Sequence, residues 1–337
     1  MKRVLIYIIL LFIVGLYGCG ANESSKEGKD SVTLIANSVW PEDNFMSQGL
    51  IDFSQKVYDS TDGNLEIDVK TGGALGYEGA ELLSAVRDNT IPITDLLAFG
   101  VEGDEPLFGL STLPFLVQNY EENKLLNEIA RPYYEKVAEE KWNQKILYVV
   151  TWPGAGFWTQ DKVEKMEDFK NLKIRTADGN GASVVQKIGG KPYQLPFAEV
   201  YSSLATGVID SVLTSSPTAV DGKFWEVLDY YIPANVTMGV SFVTINLDEF
   251  NKLDKEIQEV LIQVGKDIEI TMWERVMKID EENEKLVNDQ GITTIQPNDD
   301  LLNKLSEITE DLRQQWLDQA PSEAEEIVEK FNEEVNR

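Results

Sequence analysis

Apolar and polar positions alternate along residues 31–40, SVTLIANSVW, which predicts a half-buried strand. Phe45, Gly49, Phe53 and Val57 then recur at helical spacing. Leu65, Ile67 and Val69 alternate again within 64–72; GAELLSAVRDN (79–89) reads as a helix, and 90–100 is a further apolar segment. Strand, helix, strand, helix, strand is the pattern of a parallel α/β sheet. A second such unit starts with KILYVVTW (145–152). It continues through a strand ending at Arg175, helices near 180–188 and 197–206, and a strand over 208–215. Two α/β units imply two sheets with a cleft between them.

The chain returns to apolar strand at 240–247, and residues 255–290 carry one long helical pattern. Ile257, Val260, Leu261, Val264, Ile268, Val276, Ile279 and Leu286 repeat at spacings near three and four, with no proline to interrupt them. At about 1.5 Å per residue such a helix is roughly 50 Å long, more than one small domain is wide, so it is expected to run across both lobes. The alternative is two helices with a kink near Thr271. Residues 299–335 form amphipathic helix that suits packing rather than chemistry.

A chain of 337 residues, 42% hydrophobic and 26% charged, is long enough for two ordinary globular domains. Its first residues change that picture. Lys2 and Arg3 precede an apolar run from Val4 to Leu16, and Gly18 precedes Cys19, as in an export signal over 1–18. The run is too short for a bilayer span of about 20 residues. LYGC (16–19) resembles a bacterial lipoprotein signal, in which Cys19 is lipidated, becomes the N-terminus and anchors the protein outside the cytoplasm through a polar tether over 19–31. Cys19 is the only cysteine, so the mature chain has no disulfide and must be held by its core. The net charge of −28 repels nucleic acid and anionic lipid surfaces, and any anion site must be built from local donors.

The chain has no histidine, which removes Ser-His-Asp and Cys-His nucleophiles and histidine metal sites. Carboxylate-pair hydrolysis remains formally open, yet no acidic pair has a context that singles it out. GNG at 179–181 is not a dinucleotide fingerprint, because the third glycine would fall at Val184. One stretch does stand out: LKIRTADGNG (172–181) sets Arg175 at a strand end, with no further basic residue until Lys187. Arg175 is either a surface arginine paired with a carboxylate or an anion-holding group.

Several ordered motifs resemble the solute-binding proteins of tripartite ATP-independent periplasmic (TRAP) transporters, the DctP family. They are GGALGYEGAELLSAVRDNTIPI (72–93), the Leu-Pro-Phe segment in LSTLPFLVQNYEE (110–122), and FKNLKIRTADGNGASVVQKIGGKPYQLPFAEVYSSLATGVIDS (169–211). The resemblance implies a two-lobed periplasmic-binding-protein-like α/β fold with a hinge, a ligand cleft and a long helix spanning both lobes. It implies lobe I over 32–151 plus 241–275 and lobe II over 152–240 plus 276–337. The implied function is capture of a small organic acid and its delivery to the membrane subunits of a TRAP permease, by a monomer with no enzymatic activity, cofactor or metal. A ligand-sensing lipoprotein of the same fold and a secreted carboxylate-dependent hydrolase are the alternatives.

By the same resemblance Arg175 takes the place of the arginine that holds the ligand carboxylate, its planar fork matching two carboxylate oxygens. Asn37, Asp178 and Asn180 match polar contacts, Phe197 a pocket aromatic, and Thr214 and Ser215 a position where many relatives carry asparagine. Many acid-binding relatives have another arginine some twenty residues before the first. Here that stretch, TWPGAGFWTQ (151–160), has Trp152, Phe157 and Trp158 and no positive charge. If these face the cleft, with Leu97 at the first lobe's strand end, the ligand is a monocarboxylate with an apolar or hydroxylated body.

Overall fold

The structure, a computed structural model, describes residues 31–336; the export signal and Cys19 lie outside the described residues. Strand β1 (Val32–Asn37) leads into helix α1 (Phe45–Ser60), which Asn44 caps by accepting the Met46 N–H at 2.7 Å. The helix buries Phe45, Met46, Leu50, Phe53 and Val57 along one face. At about 1.5–3 kcal/mol per buried side chain, that face and not intrinsic propensity holds it in place. Then follow β2 (Leu65–Lys70), α2 (Glu81–Arg87), β3 (Ile93–Leu97), the 23-residue α3 (Tyr120–Trp142) and β4 (Gln144–Thr151). The hydrophobic pattern had not distinguished α3, whose polar surface and internal Pro132 mask a buried stripe of Leu126, Ala130, Tyr134 and Ala138.

The second lobe comprises β5 (Gly156–Thr159), β6 (Lys173–Thr176), α4 (Gly179–Lys187), β7 (Lys191–Gln194), α5 (Phe197–Ala205), β8 (Ser211–Thr214), α6 (Ser216–Asp221) and β9 (Tyr230–Ile232). The chain then recrosses into β10 (Val240–Asn246), α7 (Leu247–Lys252) and α8 (Lys255–Asp289), and ends with β11 (Thr293–Thr294), α9 (Asp299–Leu317) and α10 (Ser322–Glu334).

The strands form two sheets, in the orders β2-β1-β3-β10-β4 and β11-β9-β5-β8-β6-β7. In the first, β2, β1 and β3 are parallel as the pattern predicted, but β10 runs antiparallel between β3 and β4. Its central position explains why all seven of its residues are buried. In the second, β6 is parallel to β7 and β8, while β5 is antiparallel to β8 and β9. Apolar clusters cover both faces of each sheet.

Three features join the lobes. Residues 152–155 and 236–239 run side by side between the sheets, through Trp152 N–H to Gly239 O, Ala155 N–H to Thr237 O and Val236 N–H to Ala155 O, each 2.8 Å. Helix α8 is one unbroken helix of 35 residues, with no division near Thr271, and it packs on α1 and β4 in one lobe and on α6 in the other. The chain also crosses back between α9 and α10. Residues 276–337 were expected in the second lobe, yet α10 lies on α3 in the first, because Ala324, Ile327, Val328 and Phe331 complete the core over Leu126, Ala130 and Tyr134.

Gly265 lets α8 approach β4: a Cβ there would sit 2.5 Å from the Leu147 carbonyl oxygen, a backbone atom that has no rotamer to yield. Gly265→Ala is expected to destabilise the protein by about 1–3 kcal/mol, the usual cost of overpacking, as read by urea denaturation. Ala at Gly103, which has nothing within 4 Å of an added Cβ, should differ from wild type by less than about 1 kcal/mol.

Candidate functional site

The carboxyl ends of β1, β3, β6, β7 and β8 converge on a cavity of about 600 Å³ between the lobes, within the range of small-molecule sites. Arg175 reaches it from β6, whose alternation sends Ile174 into the core and the next residue toward the cleft. The residue is only 5% exposed. Its Nε donates to Leu195 O at 2.9 Å, and the terminal nitrogens have no hydrogen-bond or ion-pair partner among the described residues. Burial pushes its pKa down to about 10, partly offset by the charge of Asp178, so it stays cationic at neutral pH. Arg175 is the only basic residue in the described cavity wall.

Asp178 caps α4, its Oδ1 accepting the Gly181 N–H at 2.5 Å. Glu102, from the first lobe, reaches the same helix terminus: Gly179 N–H donates to its Oε1 at 2.6 Å and Asn180 Nδ2 to its Oε2 at 3.3 Å. Asn180 Nδ2 also donates to Gly109 O at 3.2 Å and Thr112 Oγ1 at 3.0 Å. The start of α4 is therefore tied to the opposite lobe directly beside Arg175. Burial pushes the Glu102 carboxyl up, and the nearby Asp178 charge adds to this; burial likewise raises Asp178, against the Gly181 hydrogen bond and the Arg175 charge.

Aromatic rings form another link. Trp152 packs on Phe45 and Trp40, both with centroids 4.8 Å away, and Trp40 meets Phe197 of the second lobe at 5.4 Å. The Trp152 indole N–H donates to Ser241 Oγ at 2.9 Å, which fixes the ring at the cavity wall.

The wall brings together Arg175, Asp178, Phe197, Thr214, Ser215, Trp152 and Leu97. Four other candidate positions lie elsewhere. Asn37 is buried behind the β1 end, its Nδ2 donating to Thr94 Oγ1 at 3.3 Å. Asn180 faces the opposite lobe, as described. Phe157 and Trp158 do not face the cleft, because β5 is an interior strand with both faces covered. Phe157 packs on Phe169 at 4.6 Å, and Trp158 stacks on Tyr231 at 3.9 Å while donating to Thr214 O at 3.1 Å. Sequence reasoning passed over Trp40, Asp95 and Glu102, of which the cavity is lined by the first two. Asp95 carried a usable signal, a lone charge inside the apolar run ITDLLAF.

The profile of bacterial extracellular solute-binding protein family 7, DctP, matches residues 36–319. A TRAP solute-binding protein from a marine metagenome, specific for pyroglutamate and solved with it, is similar at TM-score 0.86 and 26% identity, over 90% of this chain and all of that one. DctP7 of Bordetella pertussis, an extracytoplasmic solute receptor binding pyroglutamic acid, has TM-score 0.86 at 24% identity with the same coverage. A monocarboxylate 2-oxoacid-binding periplasmic protein of Nostoc sp. is 24% identical over 259 residues, 74% of this chain and 69% of that protein.

A carboxyl whose pKa is raised on folding binds more protons folded than unfolded between its ordinary and its raised value, so stability increases as pH falls through that window. Glu102 and Asp178 both have this sign. The melting temperature is expected to rise as pH is lowered from 8 toward 5.5. Glu102→Gln, which keeps an acceptor for the Gly179 N–H, should reduce that rise measurably in differential scanning calorimetry.

Proposed function

Because the chain belongs to the bacterial extracellular solute-binding proteins of family 7, the TRAP-associated DctP family, we propose that its cavity captures a small organic acid through one carboxylate held by Arg175. The observation that carries this reading is the buried guanidinium with unpaired terminal nitrogens, the only cation in the described wall of a cavity that also holds Asp95 and Asp178. One cation among acidic neighbours suits one carboxylate; a second would meet like charge with nothing to offset it. The ligands of the similar proteins, pyroglutamate and monocarboxylate 2-oxoacids, share that single carboxylate.

Capture by lobe closure would operate through the paired segments 152–155 and 236–239, with the contacts from Glu102 to α4 and from Trp40 to Phe197 formed in the closed state. The loaded receptor would then deliver its acid to TRAP permease subunits in the membrane. Residues 1–18 would direct export, and lipid on Cys19 would hold the protein at the outer face of that membrane.

Arg175→Ala should weaken binding of the preferred acid at least about 100-fold, since it removes two charge-assisted hydrogen bonds of about 1.5–3 kcal/mol each. The check is a thermal-shift screen of mono- and dicarboxylates, oxo acids and sugar acids, followed by calorimetric titration of the acid that shifts wild type most. Equal shifts in wild type and variant would remove Arg175 from the site. Separately, Cys19→Ala should move the protein from the membrane fraction to the soluble extracytoplasmic fraction.

A further inference from the structure

Three carboxyl groups tie the lobes together across the cleft, each to neutral donors. Glu102 of the first lobe accepts from Gly179 N–H at 2.6 Å and from Asn180 Nδ2 at 3.3 Å at the start of α4. Asp221 of α6 accepts from Asn44 Nδ2 of the first lobe at 2.5 Å. Asp280 of α8 accepts from Tyr120 on one side, at 3.2 Å, and from Ser216 on the other, at 2.7 Å. All three residues are half-buried, and none forms an ion pair with a described lysine or arginine. Ion pairs between distant elements lie inside a lobe instead, as Arg131 with Glu269, Lys141 with Glu105 and Lys187 with Asp311.

Taking a carboxyl group out of water against neutral donors penalises its ionised form more than its neutral one. Burial, with the Asp178 charge adding to it, pushes Glu102 up to about 7. Burial pushes Asp221 up to about 6, with a further push from Asp43, and it raises Asp280. Opening the cleft removes the burial and the neighbour across it, which returns each group toward an ordinary carboxyl. Around Glu102, the segment Pro106–Thr112 has no ionisable side chain, Asp104 is exposed, Glu105 is paired with Lys141, and Arg313 of α9 donates to Pro114 O at 2.9 Å. Lys223 and Glu226, of opposite charge, share a groove with Asp221, and Tyr231 and Glu284 share the surroundings of Asp280. Capture adds one more negative charge beside Arg175, whose own charge otherwise favours ionised Asp178.

We propose that lobe closure takes up protons at these interlobe carboxyl groups, Glu102 foremost, so that the protein holds its acid more tightly as pH falls from 8 to 6 and releases it more readily as pH rises. This rests on the Arg175 reading. The sign follows from linkage: a step that raises a carboxyl's proton affinity takes up protons between its ordinary and raised values, and proton and acid then favour each other's binding equally. Arg175, at about 10, stays charged throughout this range, and a ligand carboxylate of ordinary pKa near ~4 stays ionised. Asp95, also raised to about 7, is held by Ser38 and Val39 of its own lobe, so closure does not create its burial.

The test is calorimetric titration of the full chain with pyroglutamate, pyruvate and D-gluconate at pH 6.5, in two buffers of different ionisation enthalpy, which reads the protons taken up per acid bound. Wild type should take up about 0.5–1 proton or more and bind roughly tenfold tighter at pH 6 than at pH 8. Glu102→Gln, which keeps an acceptor for Gly179 N–H, should lose at least about half of that uptake while binding at pH 8 within about threefold of wild type. A purely structural contact would leave the uptake unchanged in that variant. Asp95→Asn should keep most of the uptake. If Glu102→Gln does not melt cooperatively, Asp221→Asn replaces it, with a smaller loss of uptake expected. An acid that binds through Arg175 with no proton uptake overturns this proposal alone, as does uptake that survives in Glu102→Gln (or in Asp221→Asn where that variant replaces it) or disappears in Asp95→Asn. Failure of all three acids to bind wild type overturns the Arg175 reading for these classes and this proposal with it.

Discussion

Keeping one guanidinium charged while nearly out of water is the constraint around which the site is built. An isolated buried cation is costly, and here the cost is limited by three arrangements: a backbone acceptor at Leu195, the charge of Asp178 close by, and terminal nitrogens left facing a cavity. The net charge of −28 sharpens the effect. Long-range repulsion would discourage anions from approaching, so affinity for one would have to come from short, oriented bonds in a medium where they are strong.

The same constraint accounts for how the lobes meet. Carboxylates gather at the positive end of α4 from both sides, Asp178 from its own chain turn and Glu102 from across the cleft. Farther along, Asp280 of α8 accepts from Tyr120 in the first lobe at 3.2 Å and from Ser216 in the second at 2.7 Å, and Asn44 Nδ2 donates to Asp221 at 2.5 Å. These interlobe contacts are polar and individually modest. The large apolar clusters lie on either face of each sheet, so rigidity resides within lobes, and the interface is of the kind that can open.

Strand alternation then decides which aromatic side chains serve the cavity. Trp152 stands before β5 begins, where the chain is crossing between sheets, and it reaches the wall. Phe157 and Trp158 are inside β5 and point to opposite covered faces. Trp158 still has an indirect part in the site, since its indole N–H holds the carbonyl of Thr214 at the cavity edge.

Local pattern was enough for β1, α1, β2, α2 and β6, and for the uninterrupted α8, because period and burial coincide there and no breaker competes. The motif run over 169–211 likewise singled out Arg175, a polar exception at the end of an apolar strand. Other features depended on contacts between residues far apart in the chain. The insertion of β10 between β3 and β4, the return of α10 to α3, and the covering of both faces of β5 leave no local periodic trace. Asp95 is marked locally only as a lone charge in an apolar run, and nothing adjacent in sequence reveals that it lines a cavity shared with Arg175, or that Glu102 caps a helix 77 residues away. Sequence determined most strand and helix segments, α3 excepted, and singled out one candidate residue for holding an anion, because periodicity and charge are local properties. Only the tertiary structure decided what faces the cleft, because that depends on which surfaces the rest of the chain has already covered.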